Sequence, residues 1–254
     1  MKKLIILVQD RLFAQRAINI IKEAHQEGRM QLSAIVSEHS YYEKFIEVIQ
    51  DDVVWINNRN RNENKIIEVI RKENIDIVLS LQHKWIISKN IIDTVNGYAF
   101  NIHFGKLPDY RGHHIYNHAI LNGDSSVTTT LHWMNPKVDF GDIISEIRTL
   151  IKPDDTSWSL WFKTLNEAIK LLNKLIEYIT NNIEPPKFTI KGKGHFYSIN
   201  SIVGLKEISS IEKFNEVNRK SRAFYYPPHE PAYFISDGKK YYVIPEPVYH
   251  ESVI

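Results

Sequence analysis

The chain has 254 residues, of which 43% are hydrophobic and 24% charged, with a formal net charge of +2 and no cysteine. That length suits one large domain or a main domain with a small appendage, and the composition is that of a globular protein with a sizeable core. The near-neutral charge argues against nucleic-acid binding by blanket electrostatics, and the lack of cysteine excludes disulfides and thiolate metal sites.

The Lys2-Lys3 pair is followed by an apolar run over residues 4–8. This run is shorter than the ~7–15 residues of a signal-peptide core and no small-residue cleavage site follows, so it reads as a buried first strand of a cytoplasmic protein. No stretch approaches the ~18 consecutive apolar residues of a membrane span. A helix comes next, with Ala17, Ile20, Ile21 and Ala24 at i, i+3, i+4, i+7 and Gly28 as its stop. Residues 32–37 read as a second strand, and Tyr42, Phe45, Ile46 and Ile49 mark another helix. A third strand at 53–56 precedes a helix carrying Ile66, Ile67 and Ile70. A fourth at 75–80 precedes a helix near 86–95, which ends at the turn pair Asn96-Gly97. A fifth strand covers 98–103.

Two more β-like runs, 127–134 and 143–151, enclose a hairpin-like loop. Then a long helix sets Trp161, Leu165, Ala168, Leu172, Leu175 and Ile179 on one stripe. Pro185-Pro186 cannot continue a helix and marks a boundary. Beyond it lie short β-like aromatic runs, two of them separated by the hairpin pair Asp237-Gly238. Strands that alternate with helices and read as continuous apolar runs imply an α/β, Rossmann-like domain with a mostly parallel sheet, here residues 1–183. Residues 187–254 then form a small β-rich C-terminal region, too short for a confident core of its own.

Active sites in such sheets lie beyond the carboxyl ends of strands. The stretch NIHFGKLPDYRGHHIYNHAIL, residues 101–121, begins at such an end and holds four histidines. Two chemistries fit. Histidines 114 and 118, spaced i, i+4, together with His103 and His132 would suit a metal-dependent hydrolase, although no His-Glu-x-x-His pattern is present. Alternatively His113, His114 and His118 are solvent-facing residues of a helix start, and His103 does acid–base work near its ordinary pKa of ~6.5.

Several separately placed motifs resolve the choice by resemblance. Asn101-Ile-His103, Leu107-Pro108-Asp-Tyr-Arg111-Gly112, Thr130-Leu-His132 and Asp139-Phe-Gly141 occur in one order. Together they resemble the signature of N10-formyltetrahydrofolate-dependent formyltransferases over roughly residues 70–160. The resemblance implies a catalytic trio of Asn101, His103 and Asp139. Asp139, rather than Asp142, heads the Asp-x-Gly unit. It further implies N10-formyltetrahydrofolate as co-substrate, no metal, and folate contacts near Gln82, His83, Trp85, Gly141 and Asp142, with His132 packed beneath the trio. The chemistry agrees with these residue types. An amine attacking the formyl carbon creates an oxyanion, and a well-placed donor to it is worth ~3 kcal/mol. Asn101 and a protonated His103 are donors, His103 can move protons, and Asp139 can orient the imidazole.

The tail from Ser221 to Val243 is similar to that of sugar-nucleotide N-formyltransferases, which implies a dTDP-linked amino sugar as acceptor and a homodimer, with no nucleic acid or membrane partner. The 4-amino-4,6-dideoxyglucose carrier is the first expectation and the 3-amino isomer its nearest competitor. A binding module without turnover is a third reading. Phe224, Tyr225 and Tyr226 offer rings for a base, Arg222 suits a pyrophosphate, and Lys106 and Arg111 flank the acceptor loop. The chain departs from the family at Gly105-Lys106, at Thr128 and at His118, where glycine and tryptophan are usual in the last two positions, and its first strand lacks a following glycine.

Overall fold

The computed structural model describes residues 1–9, 12–38, 53–209, 211 and 213–246. The helix expected around Tyr42, Phe45, Ile46 and Ile49 lies outside them. The chain forms two compact units. The first comprises Met1–His103, Thr130–Ile147 and Glu167–Gly192; the second comprises Phe104–Thr129, Arg148–Asn166 and Lys193–Ile254. The sequence boundary near Pro185 falls inside the first unit.

The first unit opens with β1 (Lys3–Val8), α1 (Leu12–Gln26), β2 (Gln31–Ser37), β3 (Val54–Asn57), α2 (Glu63–Lys72), β4 (Ile77–Leu81), α3 (Lys89–Thr94) and β5 (Ala99–His103). These strands, with β7 (Ser126–Trp133) and β8 (Ile143–Leu150), form one sheet in the order β3-β2-β1-β4-β5-β7-β8. Pairing is parallel from β3 through β5, and β7 runs antiparallel to β5. The fold is therefore α/β with a mixed, mostly parallel sheet. Apolar runs account for its centre: Leu4 to Val8 of β1 and all five residues of β4 are buried.

α1 buries Phe13, Ala14, Ala17, Ile18, Ile21 and Ala24, so Ile18 completes the stripe where Ile20 was expected. After it Gly28 adopts φ +69, and its N–H donates to the His25 carbonyl. The Asn62 side chain caps α2 by accepting from the Lys65 N–H at 3.1 Å, and Ser88 caps α3 through Ile91. Asn96 and Gly97, both at positive φ, turn the chain into β5. The packed side chains of this unit include Ile5, Leu7, Val36, Ile70, Val78 and Ile92.

The second unit holds β6 (Arg111–Gly112), α4 (Ile115–Asn122), β9 (Phe196–Tyr197), α6 (Phe214–Ala223) and the hairpin of β10 (Ala232–Ser236) and β11 (Lys239–Val243). β6 pairs in parallel with β9, and a Cβ at Gly112 would lie 2.3 Å from the Tyr197 carbonyl oxygen, so only glycine admits this pairing. Asp237-Gly238 forms the expected turn, with both residues at positive φ. The C-terminal region is not β alone, because α6 occupies ten of its residues. Helix α5 (Ser157–Thr180) contributes residues to both units, and its six expected stripe residues are all buried. Among the described residues no helix is long and apolar enough to cross a membrane.

Candidate active site

Asn101 and His103 lie two residues apart on β5, so their side chains leave the same face of the strand. β7 sets His132 opposite Asn101 and Thr130 opposite His103. The loop joining β7 to β8 brings Asp139 to this point. Its shape comes from its own residues: the Asn135 amide donates to the Phe140 carbonyl at 2.8 Å and accepts from the Lys137 N–H at 2.8 Å. The Trp133 N–H closes the loop on the Asp142 carbonyl at 2.9 Å. Asp139 sits at φ +48, a left-handed conformation that aspartate tolerates better than most residues. A Cβ at Gly141 would lie 1.7 Å from the Trp133 carbonyl oxygen. The Asp-x-Gly spacing is thus a steric requirement for seating the loop.

The polar groups converge. The Asn101 amide nitrogen donates to Asp139 Oδ1 at 3.3 Å and to His132 Nε2 at 3.1 Å. His103 Nδ1 lies 3.6 Å from Asp139 Oδ2, with the His103 side chain 9% and the Asp139 side chain 12% exposed. His132 Nδ1 donates to the Trp133 carbonyl at 2.7 Å. Burial lowers the His132 pKa to about 4; a charged His103 acts in the same direction, and Asp139 and the Trp133 carbonyl oppose it. His132 is therefore neutral at neutral pH. An amide, an imidazole and a carboxylate in a water-poor setting suit proton transfer and oxyanion stabilisation at a carbonyl carbon.

Gln82, His83 and Trp85 form a second group, after β4, whose Ser80 is paired with Asn101. Gln82 takes φ +57. His83 faces the Asn58 amide at 3.4 Å, and burial lowers its pKa to about 4 against the pull of Val8 and Glu38. The Arg61 guanidinium lies 3.4 Å over the Trp85 ring. Among the described residues, Gln82 Oε1 and Trp85 Nε1 are buried without a hydrogen-bond partner. Gly141 and Asp142 belong to the Asp139 loop, and with Asn96, Tyr98, Trp133 and Lys187 they line a cavity of about 270 Å³.

The residues expected to hold the acceptor all lie in the second unit. Lys106 is exposed and pairs with Asp109 at 3.0 Å. Arg111 is buried and donates to the Lys193 carbonyl at 3.2 Å, an internal tie to the segment that leads into β9. Arg222 donates to the Asp155 carbonyl and to Asn218 Oδ1, each at 2.9 Å. Phe224 is 2% exposed and cannot offer a face to a base, because the end of α6 packs it into the interior. Tyr225 and Tyr226 are half-buried, and Tyr226 stands edge-on to Trp158 at 5.1 Å. Trp158 and the exposed Phe162 extend this aromatic group. Sequence reasoning missed them, although the run Trp158-Ser-Leu-Trp161-Phe162 carried the signal.

Two more histidines of the 101–121 stretch are committed locally. His114 Nε2 donates to the Ile199 carbonyl at 2.9 Å. His118 corrects an expectation: it is buried, not solvent-facing, because its ring stacks on Tyr197 at 3.9 Å and its Nε2 bonds Ser201 Oγ at 2.8 Å. Among the described residues no group of three or more His, Asp or Glu side chains is arranged to hold a metal ion.

Comparison with known proteins adds a family match, a curated relative and two solved structures. A family model described as formyl transferase matches residues 2–176. GDP-perosamine N-formyltransferase from Brucella melitensis is 27% identical over 168 residues, 66% of this chain and 64% of that one. Across the curated relatives it matches, this chain spans 19 to 64% of their length. A 4-N formyltransferase from Francisella tularensis superposes with a TM-score of 0.77 at 23% identity, covering 96% of each chain. An N-formyltransferase from Helicobacter canadensis, in complex with folinic acid and dTDP-3-aminofucose, gives 0.68 at 20% identity over 94% of this chain and 86% of that one. At these identities the structural likeness is one of fold.

Proposed function

The chain belongs to the formyl transferase family, and we propose that it moves a formyl group from N10-formyltetrahydrofolate to the amino group of a dTDP-linked amino-dideoxy sugar. The reading rests on the convergence of Asn101, His103 and Asp139, drawn from two separate segments, in a chain whose family match covers both. The acceptor is dTDP-4-amino-4,6-dideoxyglucose, with the 3-amino isomer as the alternative. The product is a formamido sugar for a bacterial surface polysaccharide, made in the cytoplasm by a homodimer.

The acceptor nitrogen attacks the formyl carbon, forming the new C–N bond and moving the carbonyl electron pair onto oxygen. Collapse of that intermediate breaks the bond to folate N10. The acceptor nitrogen gives up a proton and N10 gains one. His103 handles these protons, with the Asp139 carboxylate 3.6 Å away to orient its ring. At rest both hydrogens of the Asn101 amide are engaged. Exchanging the longer contact, 3.3 Å to Asp139, for the oxyanion supplies a donor worth ~3 kcal/mol. The folate lies against Gln82 to Trp85 and the Asp139 loop, where Gln82 Oε1 and Trp85 Nε1 offer an acceptor and a donor. Tyr225 and Tyr226, with Trp158 beside them, face the base, and Arg222 the pyrophosphate.

Two similarities support the sugar-nucleotide branch. The fold of the Francisella 4-N enzyme agrees over 96% of this chain, including the C-terminal region. The Helicobacter enzyme was crystallised with a folate and a dTDP-3-amino sugar. The Brucella relative uses a GDP carrier, so the test includes one. Incubation with N10-formyltetrahydrofolate and a panel of dTDP- and GDP-linked 3-amino and 4-amino sugars should yield one product heavier by a formyl group. No adduct with any member of the panel contradicts the reading.

A further inference from the structure

We propose that His132 is a positioning residue for this transfer centre, locked in one neutral tautomer so that it orients the Asn101 amide. The inference rests on the proposed function for its kinetic consequences and on geometry for the rest. One backbone atom, the Trp133 carbonyl oxygen, has two tasks. It accepts from His132 Nδ1 at 2.7 Å, and it is the atom that Gly141 approaches too closely to allow a Cβ. The same carbonyl therefore fixes the proton on His132 and seats the loop that carries Asp139.

With its proton on Nδ1, His132 presents a lone pair at Nε2. The Asn101 amide nitrogen answers it at 3.1 Å and gives its other hydrogen to Asp139 Oδ1 at 3.3 Å. Rotating the amide by half a turn would point its oxygen at a lone pair and at a carboxylate. Both neighbours oppose that rotamer, so the carbonyl, His132, Asn101 and Asp139 close a ring with one consistent set of donors. A protonated His132 would break it, since Nε2 would then donate and reject the amide nitrogen. The charged groups that act on His132 are Asp139 and His103. They pull in opposite directions, and burial keeps the imidazole neutral until the pH approaches about 4.

The test uses the full chain and two variants. Glutamine can place its oxygen near the Nε2 position, so His132→Gln keeps an acceptor for Asn101. Asparagine can reach the Trp133 carbonyl but not Asn101, so His132→Asn keeps the anchor and loses the acceptor. The proposal expects His132→Gln to retain kcat within about tenfold and His132→Asn to lose about 100-fold, with KM for both substrates little changed, as for a displaced oxyanion donor. The acid limb of the rate profile should stay where it is in the wild type. Equal losses in both variants, or an acid limb that moves, would overturn it. Nitrogen NMR of the wild-type imidazoles gives a readout that needs no turnover. The His132 ring should show the Nδ1–H tautomer and no protonation until near pH 4. An Nε2–H tautomer or ordinary titration defeats the proposal even if the variants do not fold. Absence of any formyl transfer by the wild type, with the expected tautomer present, defeats the functional reading and leaves the positioning geometry standing.

Discussion

The Asn101 amide donates to the Asp139 carboxylate at 3.3 Å across 38 residues of sequence. That contact joins a strand of the parallel part of the sheet to a loop beyond an antiparallel strand. It depends on both the β5–β7 register and the close seating of Gly141. The site is thus a property of strand pairing as much as of its own side chains.

Gly141→Ala tests the seating directly. A Cβ there would stand 1.7 Å from the Trp133 carbonyl oxygen, and backbone on both sides leaves no flexible partner to yield. The loop must shift by more than an ångström, which moves Asp139 away from Asn101 and His103. Formyl transfer should fall by about 100-fold or more, since misplacement on that scale costs roughly that much. Circular dichroism and melting curves should still show a folded chain. Wild-type turnover in a folded Gly141→Ala variant would contradict the geometry.

Phe224 and Tyr226 should respond to truncation in different ways. Phe224 is 2% exposed, so Phe224→Ala should cost about 3–5 kcal/mol of stability by leaving a cavity. Tyr226 is half-buried beside Trp158, and Tyr226→Ala should leave the fold intact. It should weaken dTDP-sugar binding by about 1–3 kcal/mol, the worth of stacking on one base. Urea denaturation and calorimetric titration separate the two outcomes. Unchanged nucleotide affinity in Tyr226→Ala would move the base elsewhere.

Stability should fall on the acid side. His132, His83 and His118 each have a folded pKa lowered to about 4, with burial the leading cause in every case. In the unfolded chain each titrates near ~6.5. Between those values the unfolded state takes up protons that the folded state refuses. Stability is complete above the unfolded value and declines as pH drops toward 4, by up to about 1.4 kcal/mol per pH unit for each histidine. Urea midpoints measured from pH 7 to pH 4.5 should decrease, and His132→Gln should flatten the slope. A midpoint independent of pH over this window would refute neutral burial of the three rings.

Much of this was legible in the sequence, for identifiable reasons. Continuous apolar runs such as Ile77 to Leu81 sit in the sheet centre because parallel strands are buried on both faces. The Asn101 and His103 pair, two apart on a strand, had to share a face. The Asp-x-Gly unit singles out Asp139 rather than Asp142, and the Asp139 carboxylate is the one beside them, while the Asp142 carbonyl closes the loop on Trp133. What escaped had non-local or weak signals. His118 looked like a surface residue of a polar helix start, and its burial comes from Tyr197, far along the chain. Helix α6 buries only Ser221 and Ala223 of its ten residues, so it has no apolar stripe to detect. Phe224 reads as part of an aromatic run, and only the helix end before it turns it inward.

The most direct test of the central claim is the rate of formyl transfer by His103→Asn, measured beside its affinity for a folate and for the accepted sugar nucleotide. The account predicts a loss of about 10²–10⁴-fold in kcat, the usual worth of a general acid–base group, with both ligands still bound. Turnover within a few-fold of wild type would show that the imidazole beside Asp139 is not where the formyl group changes hands.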